Sequence, residues 1–204
     1  QGSLFASGAV GLGDLSGVDR LVLDQHCWVD LLPGWVGGAA TVFADLARTL
    51  PWSAATRPMS DRIVARPRLT ASVSGDDPAL PDVVADMVDA LSGHYRDELT
   101  AVFANYYRDG ADSVAWHGDR IGHSRPNPLV AVVSLGGRRR FALRPAAGGR
   151  SQRLWLASGD LLVMGGACQH RWQHAVPKMS RAEPRISLTF RSAPDDLTPG
   201  RVGG

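Results

Sequence analysis

The sequence predicts a mainly β fold, an antiparallel barrel or jelly roll with flanking helices on one side. Six short segments with strand character follow residue 100, and glycine-containing turns such as Gly136-Gly137 and Gly159-Asp160 separate them. Two amphipathic helical patterns precede these segments, and the chain contains no internal repeat. Many short strands after two helices are typical of packed antiparallel sheets or a barrel with helices covering one face.

Both predicted helices lie in the first half of the chain, and we interpret them as packing elements. The first is predicted by apolar residues that recur at three- and four-residue steps, and Pro51 ends it. These residues are Trp35, Ala39, Val42, Phe43, Leu46 and Leu50. The second begins near Pro81, which suits a first helical turn, and we expect Gly93 to end it. Asp82 and Asp86 place negative charge in its first turns, near the positive end of the helix dipole. Its apolar stripe consists of Val84, Met87, Val88 and Leu91.

The predicted strands lie mainly in the second half of the chain, although residues 21–23 could form a first strand. The later strands are predicted at residues 100–107, 129–135, 140–144, 153–157, 160–164 and 185–191. Residues 52–75 break up into prolines, four arginines and short apolar pieces. This pattern suits either a loop-and-hairpin flap over a site or an ordinary irregular connection.

Length and composition favour a single globular domain. The chain has 204 residues, of which 44% are hydrophobic, which is enough for a sizeable core. No apolar run approaches the roughly 18 residues of a membrane helix, and we recognise no signal peptide. Cys27 and Cys168 form no C-x-x-C motif, so we expect free thiols in a reducing, cytoplasmic compartment. We expect one domain at residues 1–191, with a jelly-roll core at 100–191, and a disordered tail at 192–204.

Positive charge is concentrated in one part of the chain, although the net charge is only +2. Residues 120–153 contain eight arginines and no aspartate or glutamate, a block of the kind that attracts polyanions. All but one of the 22 basic residues are arginine, however, so genome composition would also produce such a block. The sequence therefore leaves a nucleic-acid contact and a merely solvated face equally open.

Residues 116–120 read Trp-His-Gly-Asp-Arg and place two metal-binding side chains, His117 and Asp119, two positions apart. On an extended chain such residues point the same way, although a surface His and Asp at a turn would give the same tripeptide. One more histidine would complete a 2-His-1-carboxylate site, which suits Fe(II) with open coordination positions. His170 and His174 both qualify as this third ligand. Flanking glycines and Pro177 argue against a helix that would make them a zinc pair.

The last predicted strand, residues 185–191, separates its polar and apolar side chains onto two faces. The polar face carries Arg185, Ser187, Thr189 and Arg191, and the apolar face carries Ile186, Leu188 and Phe190. Two guanidinium groups on one face suit a dicarboxylate, because each can grip a carboxylate with two parallel hydrogen bonds. Asn105 and Tyr107 also share one face of their strand and could add neutral hydrogen bonds to the same ligand.

Six motifs follow one another in order along the second half of the chain, at residues 105–110, 116–119, 133–136, 159–166, 174–178 and 185–191. Together they resemble the ordered motifs of the AlkB-type Fe(II)/2-oxoglutarate-dependent dioxygenases. Weaker similarities occur at Pro67-Arg68 and at Arg57-Pro58-Met59. The resemblance implies a double-stranded β-helix, in agreement with the jelly roll that the strand pattern predicts.

The resemblance also implies a set of iron ligands and catalytic residues. His117, Asp119 and His174 match the family's metal-binding positions. His174 is preferred over His170 because it stands directly before Ala175-Val176-Pro177, as the motif requires.

The 2-oxoglutarate site follows from the same resemblance. Arg185, helped by Tyr107, is expected to bind the far carboxylate of 2-oxoglutarate. Arg191 and Asn105 are expected near the carboxylate and keto group that chelate the iron. Ser187 stands where relatives often have Asn, a conservative change in hydrogen-bonding terms.

The activity that the resemblance implies is oxidative removal of N-alkyl groups from DNA bases with Fe(II), 2-oxoglutarate and oxygen. The hydroxylated alkyl group leaves as an aldehyde and the base is restored. An enzyme reaches such a base only on a single strand or after flipping the nucleotide out. We expect the flap and the arginine block to hold it, with candidate substrate contacts at Arg57, Met59, Arg68, Arg120 and Ile121. We expect a monomer without membrane association.

One segment and two single residues differ from the base-demethylating relatives, and these differences concern the substrate rather than the iron site. Residues 69–75 lack the aromatic side chains that often stack on bases, and Ser60 follows Met59 where Tyr is common. Ile121 stands where several relatives place a carboxylate. Two alternatives therefore stay open: a dioxygenase of the same fold acting on RNA, a protein or a small metabolite, and a silent binding module. The complete set of ligands and arginines disfavours the silent module.

Overall fold

The computed structural model describes residues 9–54, 56–59, 62–65, 67–75, 77, 80–119 and 125–192, with the backbone alone at 56–59 and 62–65. Its helices are α1 (Ala39–Thr49), α2 (Asp82–Tyr95) and α3 (Cys168–Arg171), with a 3₁₀ turn at Leu15–Gly17. The strands are β1 (Gly11–Leu12), β2 (Asp19–Asp24), β3 (Cys27–Leu32), β4 (Val36–Gly37), β5 (Thr56–Met59), β6 (Arg62–Ala65), β7 (Leu69–Ser74), β8 (Ala101–Tyr107), β9 (Val114–His117), β10 (Val130–Gly136), β11 (Arg139–Pro145), β12 (Gln152–Leu156), β13 (Leu161–Gly166), β14 (Trp172–Val176) and β15 (Arg185–Arg191).

Two antiparallel sheets organise the described part of the chain. The larger sheet has seven strands in the order β2-β3-β13-β10-β15-β8-β7, and the smaller has four in the order β12-β11-β14-β9. Strands distant in the sequence are neighbours in both sheets, as in β10 with β15 and β9 with β14. The predicted fold class, a jelly roll with flanking helices, is confirmed.

The seven-stranded sheet is buried on both faces, and the alternation of its side chains builds two cores. On β10, Ala131, Val133 and Leu135 join a cluster that contains the apolar stripes of α1 and α2. Val130 and Val132, which point to the other face, join a second cluster with residues of the four-stranded sheet. The seven-stranded sheet is therefore the middle of three layers, with helices on one side and the smaller sheet on the other.

The helices depart from the sequence expectation at their ends. Helix α1 begins at Ala39 rather than near Trp35, which is buried in the same core before the helix starts. The expectation that Gly93 ends the second helix is wrong, because α2 continues to Tyr95. Arg96 then ends it in the left-handed conformation, with φ of 54°.

The six later predicted strands correspond to β8, β10, β11, β12, β13 and β15, each within two residues of the expected ends, and residues 21–23 lie inside β2. Strands β3, β9 and β14 were not predicted, because each is short or interrupted by polar residues. Within residues 52–75 there is a hairpin of β5 with β6, but Leu69–Ser74 is the edge strand of the seven-stranded sheet. Ser192, assigned to the tail, is 4% exposed and bonded to Asp97, while residues 193–204 lie outside the described residues.

The two cysteines, Cys27 and Cys168, are both free and buried, and burial raises the pKa of their thiols to about 11 and about 12. Within the described residues no helix has the length and apolarity needed to cross a membrane.

A charged cluster holds α2 to the edge of the larger sheet. Asp30 on β3 is 1% exposed and accepts two hydrogen bonds from Arg20 on β2, at 2.7 and 2.8 Å. The hydroxyl of Tyr95, at the end of α2, donates a third at 3.0 Å. The Arg20 guanidinium also lies 3.7 Å from the centre of the Trp28 ring. Burial, with the neighbouring Asp30 carboxylate, raises the pKa of the Tyr95 hydroxyl.

We expect Asp30→Ala to lower the free energy of unfolding by about 1–3 kcal/mol, because the Tyr95 hydroxyl and the Arg20 guanidinium lose their buried acceptor. Urea denaturation measures this. Asp45→Ala is the matched control, since Asp45 pairs with the exposed Arg48, and a change within about 0.5 kcal/mol is expected there. Equal losses in the two variants would contradict the role of Asp30.

Candidate metal centre and co-substrate pocket

Strand pairing brings the two histidines of the candidate site face to face. On the four-stranded sheet His117 of β9 is the register partner of His174 of β14, and their ring centres are 4.2 Å apart. Asp119 follows His117 by two residues and turns back toward both rings. Its carboxylate oxygens lie 3.7 Å from His117 Nε2 and 4.0 Å from His174 Nε2. One ligand atom from each of the three residues falls within 4.8 Å of the others.

Both histidines direct a ring nitrogen, Nε2, toward the Asp119 carboxylate. His117 Nδ1 lies 2.9 Å from the Ala115 carbonyl, which can only accept, so Nδ1 donates and Nε2 is the nitrogen that faces the cluster. Burial, with the neighbouring His117, lowers the pKa of His174 to about 4. His174 is therefore neutral at physiological pH, and the Phe141 ring stacks against it at 5.4 Å. Two imidazoles and one carboxylate are the donor set that suits Fe(II).

The turn between His117 and Asp119 is fixed by helix α3. The Asp119 backbone N–H donates to Gln169 Oε1 at 3.0 Å, and Gln169 is 8% exposed. Gly118 packs so closely on this helix that a Cβ there would lie 2.7 Å from the Gln169 carbonyl oxygen. Only glycine fits this approach. Gln169 and Gly118 together aim the carboxylate of Asp119, a role that the sequence did not reveal.

Arg185, on β15 of the larger sheet, points toward the smaller sheet that carries the two histidines. Arg185 is 1% exposed, its Nε donates to Ser134 Oγ at 2.8 Å, and the Tyr107 ring centre is 5.2 Å away. Among the described residues, its Nη1 finds no hydrogen-bond partner. Burial lowers the pKa of this guanidinium. A buried cation with a free donor fits a carboxylate of a dicarboxylate ligand. Ser134 carries the single hydroxyl of an otherwise apolar strand, and this pattern could have identified Ser134 as a site residue from the sequence.

The other polar residues of this face form a second group nearer to Asp119. Arg191 Nη1 is 3.8 Å from an Asp119 oxygen, and its guanidinium lies 3.8 Å from the centre of the Phe103 ring. Asn105 Oδ1 accepts from Arg68 Nε at 2.6 Å, so the Asn105 amide group is left to donate.

Two cavities meet at this group of side chains. A narrow one reaches Tyr107, His174, Arg185 and Ser187, and a broader, half-open one of about 460 Å³ reaches Ser53, Thr70, Phe103 and Arg191. Both are lined by Arg68, Asn105, His117, Asp119 and Thr189. The candidate metal centre thus separates a buried anion pocket from a cavity open to a larger molecule.

The structure brings together His117, Asp119 and His174 with Asn105, Tyr107, Arg185, Ser187, Arg191 and Arg68. His170 is elsewhere: its Nε2 lies 2.9 Å from the Arg125 carbonyl. Four predicted substrate contacts, at Arg120, Ile121 and the side chains of Arg57 and Met59, lie outside the described residues.

The arginine block does not form one surface, so neither a nucleic-acid contact nor a solvated face describes all of it. Arg139 is 0% exposed and donates to the carbonyl oxygens of Asp109, Asp112 and Pro177 at 2.8–3.0 Å. It is an internal clamp between three segments. The neighbouring Arg138 and Arg140 are exposed.

A family model described as the 2OG-Fe(II) oxygenase superfamily matches residues 50–191, which include every residue of this centre. The chain belongs to this superfamily. Its members are dioxygenases that use Fe(II), 2-oxoglutarate and oxygen, so the predicted enzyme class and cofactors are confirmed.

Curated relatives cover most of the chain. This chain is 32% identical over 191 residues to the alpha-ketoglutarate-dependent dioxygenase alkB homolog 3 of Bos taurus. The match covers 82% of this chain and 67% of the relative. The chain is 31% identical over 221 residues to the DNA oxidative demethylase ALKBH2 of Arabidopsis thaliana, with 87% and 66% covered. The solved structure of OsALKBH1 matches with a TM-score of 0.61 at 16% identity, over 86% of this chain and 100% of that one. That match supports the fold alone.

We expect Gln169→Leu to weaken Fe(II) or Co(II) binding by about 10- to 100-fold, because the Asp119 backbone loses the acceptor that orients it. Titration calorimetry measures the affinity. Gln173→Leu is the matched control, since Gln173 lies on β14, directly after α3, and its side chain accepts from Arg144 instead of holding Asp119. Unchanged metal affinity in Gln169→Leu would show that Asp119 does not depend on this bond.

Proposed function

We propose that the protein removes N-alkyl groups from DNA bases by Fe(II)- and 2-oxoglutarate-dependent oxidation, acting on single-stranded or flipped-out nucleotides. The observation that carries this proposal is the candidate metal centre between two cavities, one buried and cationic, the other half-open and about 460 Å³ in volume. The relatives named alkB homolog 3 and DNA oxidative demethylase support the choice of reaction.

In this proposal His117, Asp119 and His174 hold the iron. When bound, Fe(II) with 2-oxoglutarate and oxygen supplies the oxidation of the alkyl group. The protein's contribution is to fix the three ligands on one side, through the β9–β14 pairing and the Gln169 bond, and to leave the other side open.

Arg185 holds the far carboxylate of 2-oxoglutarate in the narrow cavity. The bond from Nε to Ser134 orients the guanidinium, Nη1 is left to donate to the carboxylate, and the Tyr107 ring lies beside the group. Asn105 lines both cavities and Arg191 lines the half-open one beside Asp119, so both can donate to the carboxylate and keto oxygens of the co-substrate where the cavities meet. Ser187, which is 3% exposed, adds a hydroxyl to the same wall.

The half-open cavity receives the flipped base in this proposal. Phe103 and Arg191 form its wall next to the metal centre, and Arg68 stands at the boundary between the two cavities. The narrow cavity around Arg185 excludes water and holds the co-substrate, whereas the half-open cavity admits the base, so the two ligands stay separate. Arg57, Met59, Arg120 and Ile121 stay candidate contacts from the sequence.

His117→Ala, Asp119→Ala and His174→Ala are each expected to abolish turnover, since two ligands do not hold the metal in its reactive geometry. Succinate release measures turnover, and metal titration separates loss of iron from loss of folding. His170→Ala is the control, because this residue bonds to the Arg125 carbonyl, and most activity should remain. Loss of activity in His170→Ala alone would place the third ligand there.

Arg185→Leu is expected to raise the 2-oxoglutarate KM steeply, because a carboxylate left without its charged partner in a buried site costs about 2–5 kcal/mol. Arg185→Lys should recover only part of the affinity, since a point charge does not replace a planar fork. Steady-state kinetics with varied 2-oxoglutarate measure both. Wild-type KM in Arg185→Leu would rule out this residue as the carboxylate ligand.

Incubation of methylated and etheno-modified DNA and RNA oligomers with iron, ascorbate and 2-oxoglutarate, followed by mass spectrometry, tests the substrate. Repair of alkylated DNA supports the proposal. Repair of RNA alone, or succinate release without base repair, would show the alternative, a dioxygenase of the same fold with another substrate.

A further inference from the structure

The outer face of the four-stranded sheet carries positive and aromatic side chains that take no part in the candidate metal centre. Side chains alternate along β11 and β12, so Phe141, Leu143 and Leu156 face the inner core while Arg140, Arg153 and Trp155 face outward. Arg138, in the turn before β11, is exposed beside them. We call Arg138, Arg140, Arg153 and Trp155 the outer basic face.

The tryptophan at the centre of this face is open to solvent and surrounded by cations. Trp155 is 42% exposed, and the guanidinium carbons of Arg138 and Arg140 lie 4.8 and 4.9 Å from its ring centre. On the same outer side, Arg144 lies 4.4 Å from the Trp116 ring centre. Cation–π contacts hold these guanidinium groups against the rings while leaving their N–H groups available for other acceptors.

The arginines of the outer basic face differ from other arginines of the described surface. Arg20, Arg48, Arg108 and Arg125 each pair with a carboxylate within 3.1 Å. Among the described residues, no carboxylate lies within ion-pair distance of Arg138, Arg140 or Arg153. The sequence also has no Asp or Glu between Arg120 and Arg153. The face is therefore a cluster of like charges that an external anion would neutralise.

Among the described residues, Trp155 is the one exposed aromatic ring on this face, and it decides between classes of anion. Large exposed apolar residues in the described part of the chain are Val10, Val22 and Trp155, so Trp155 has no apolar neighbours on this face with which to enter a lipid layer. One ring flanked by guanidinium groups is instead the arrangement that stacks a base and contacts the phosphates on either side of it.

We propose that the outer basic face binds a single-stranded stretch of nucleic acid, with a base stacked on Trp155 and phosphates bound by Arg138, Arg140 and Arg153. This inference rests on the proposed function, because it extends the substrate beyond the reacting nucleotide. The face lies on the opposite side of the sheet from His174, so the strand bound here flanks the base in the cavity and does not include it.

Binding of an unmodified fluorescent oligothymidylate of about 15 nucleotides tests the face directly. Trp155→Ala is expected to weaken binding about tenfold, the effect of losing one stacked base, and Trp155→Phe to restore most of it. The double change Arg138→Ala with Arg140→Ala should flatten the salt dependence by about 0.7 per lost contact. Arg48→Ala removes an exposed charge from α1 and is the control expected to leave binding unchanged.

Turnover of alkylated substrates of two lengths separates this inference from the proposed function. A trinucleotide reaches only the cavity, so Trp155→Ala should leave its kcat/KM unchanged and lower that of a longer strand. No turnover of any alkylated strand, with Trp155-dependent binding intact, would overturn the proposed function alone. Equal binding in wild type and Trp155→Ala, or equal losses with Arg48→Ala, would overturn the outer basic face. Preferential binding of anionic lipid vesicles through Trp155 would overturn it as well.

Discussion

The two-sided burial of the seven-stranded sheet is the constraint on which the rest of the structure depends. Because successive side chains on a strand point to opposite faces, each central strand must satisfy two environments at once. Strand β15 shows this directly. Ile186, Leu188 and Phe190 are 0% exposed in the core under the helices, and the alternate residues line the candidate site. A shift of one residue in the register would bury the arginines under the helices and expose the core.

Burial also gives the site residues their chemical character. The same removal of water that lowers the pKa of His174 to about 4 leaves a neutral imidazole, which is the form that binds a metal. At Arg185, which stays charged, removal of water produces a cation whose free donor suits a carboxylate. One physical cause, desolvation between the two sheets, therefore prepares a candidate metal ligand and a candidate anion pocket within one cavity.

The four-stranded sheet has the opposite arrangement, since one of its faces is covered and the other is open. Its inner face carries His117, His174 and Phe141 toward the site, while its outer face presents Arg140 and Trp155 to solvent. Under the two proposals made above, the inner face of this sheet serves the reacting nucleotide and the outer face serves a flanking strand. The position of Arg139, internal between two exposed arginines, follows from the same alternation.

The sequence by itself determined the local properties of this protein. The period-two alternation of residues 185–191 correctly separated a polar from an apolar face, and the strand segments and helical stripes predicted the fold class. The spacing of His117 and Asp119 predicted two ligands on one side, and the ordered motifs, through their resemblance to a family, selected His174 over His170. These signals lie within a few residues of one another, and a chain segment expresses them without its partners.

Only the tertiary structure decided which distant residues complete the site. Gln169 holds the Asp119 backbone across 50 positions, and Ser134 holds Arg185 across 51. The lone hydroxyl of β10 marks Ser134 but not its partner, and no local pattern marks the Gln169 bond, because strand register and helix placement depend on packing between segments far apart in the chain. The same reason explains why the sequence left the role of the arginine block open: composition counts charges, but only the pairing of β11 with its neighbours sends Arg139 inward and leaves Arg138 and Arg140 at the surface.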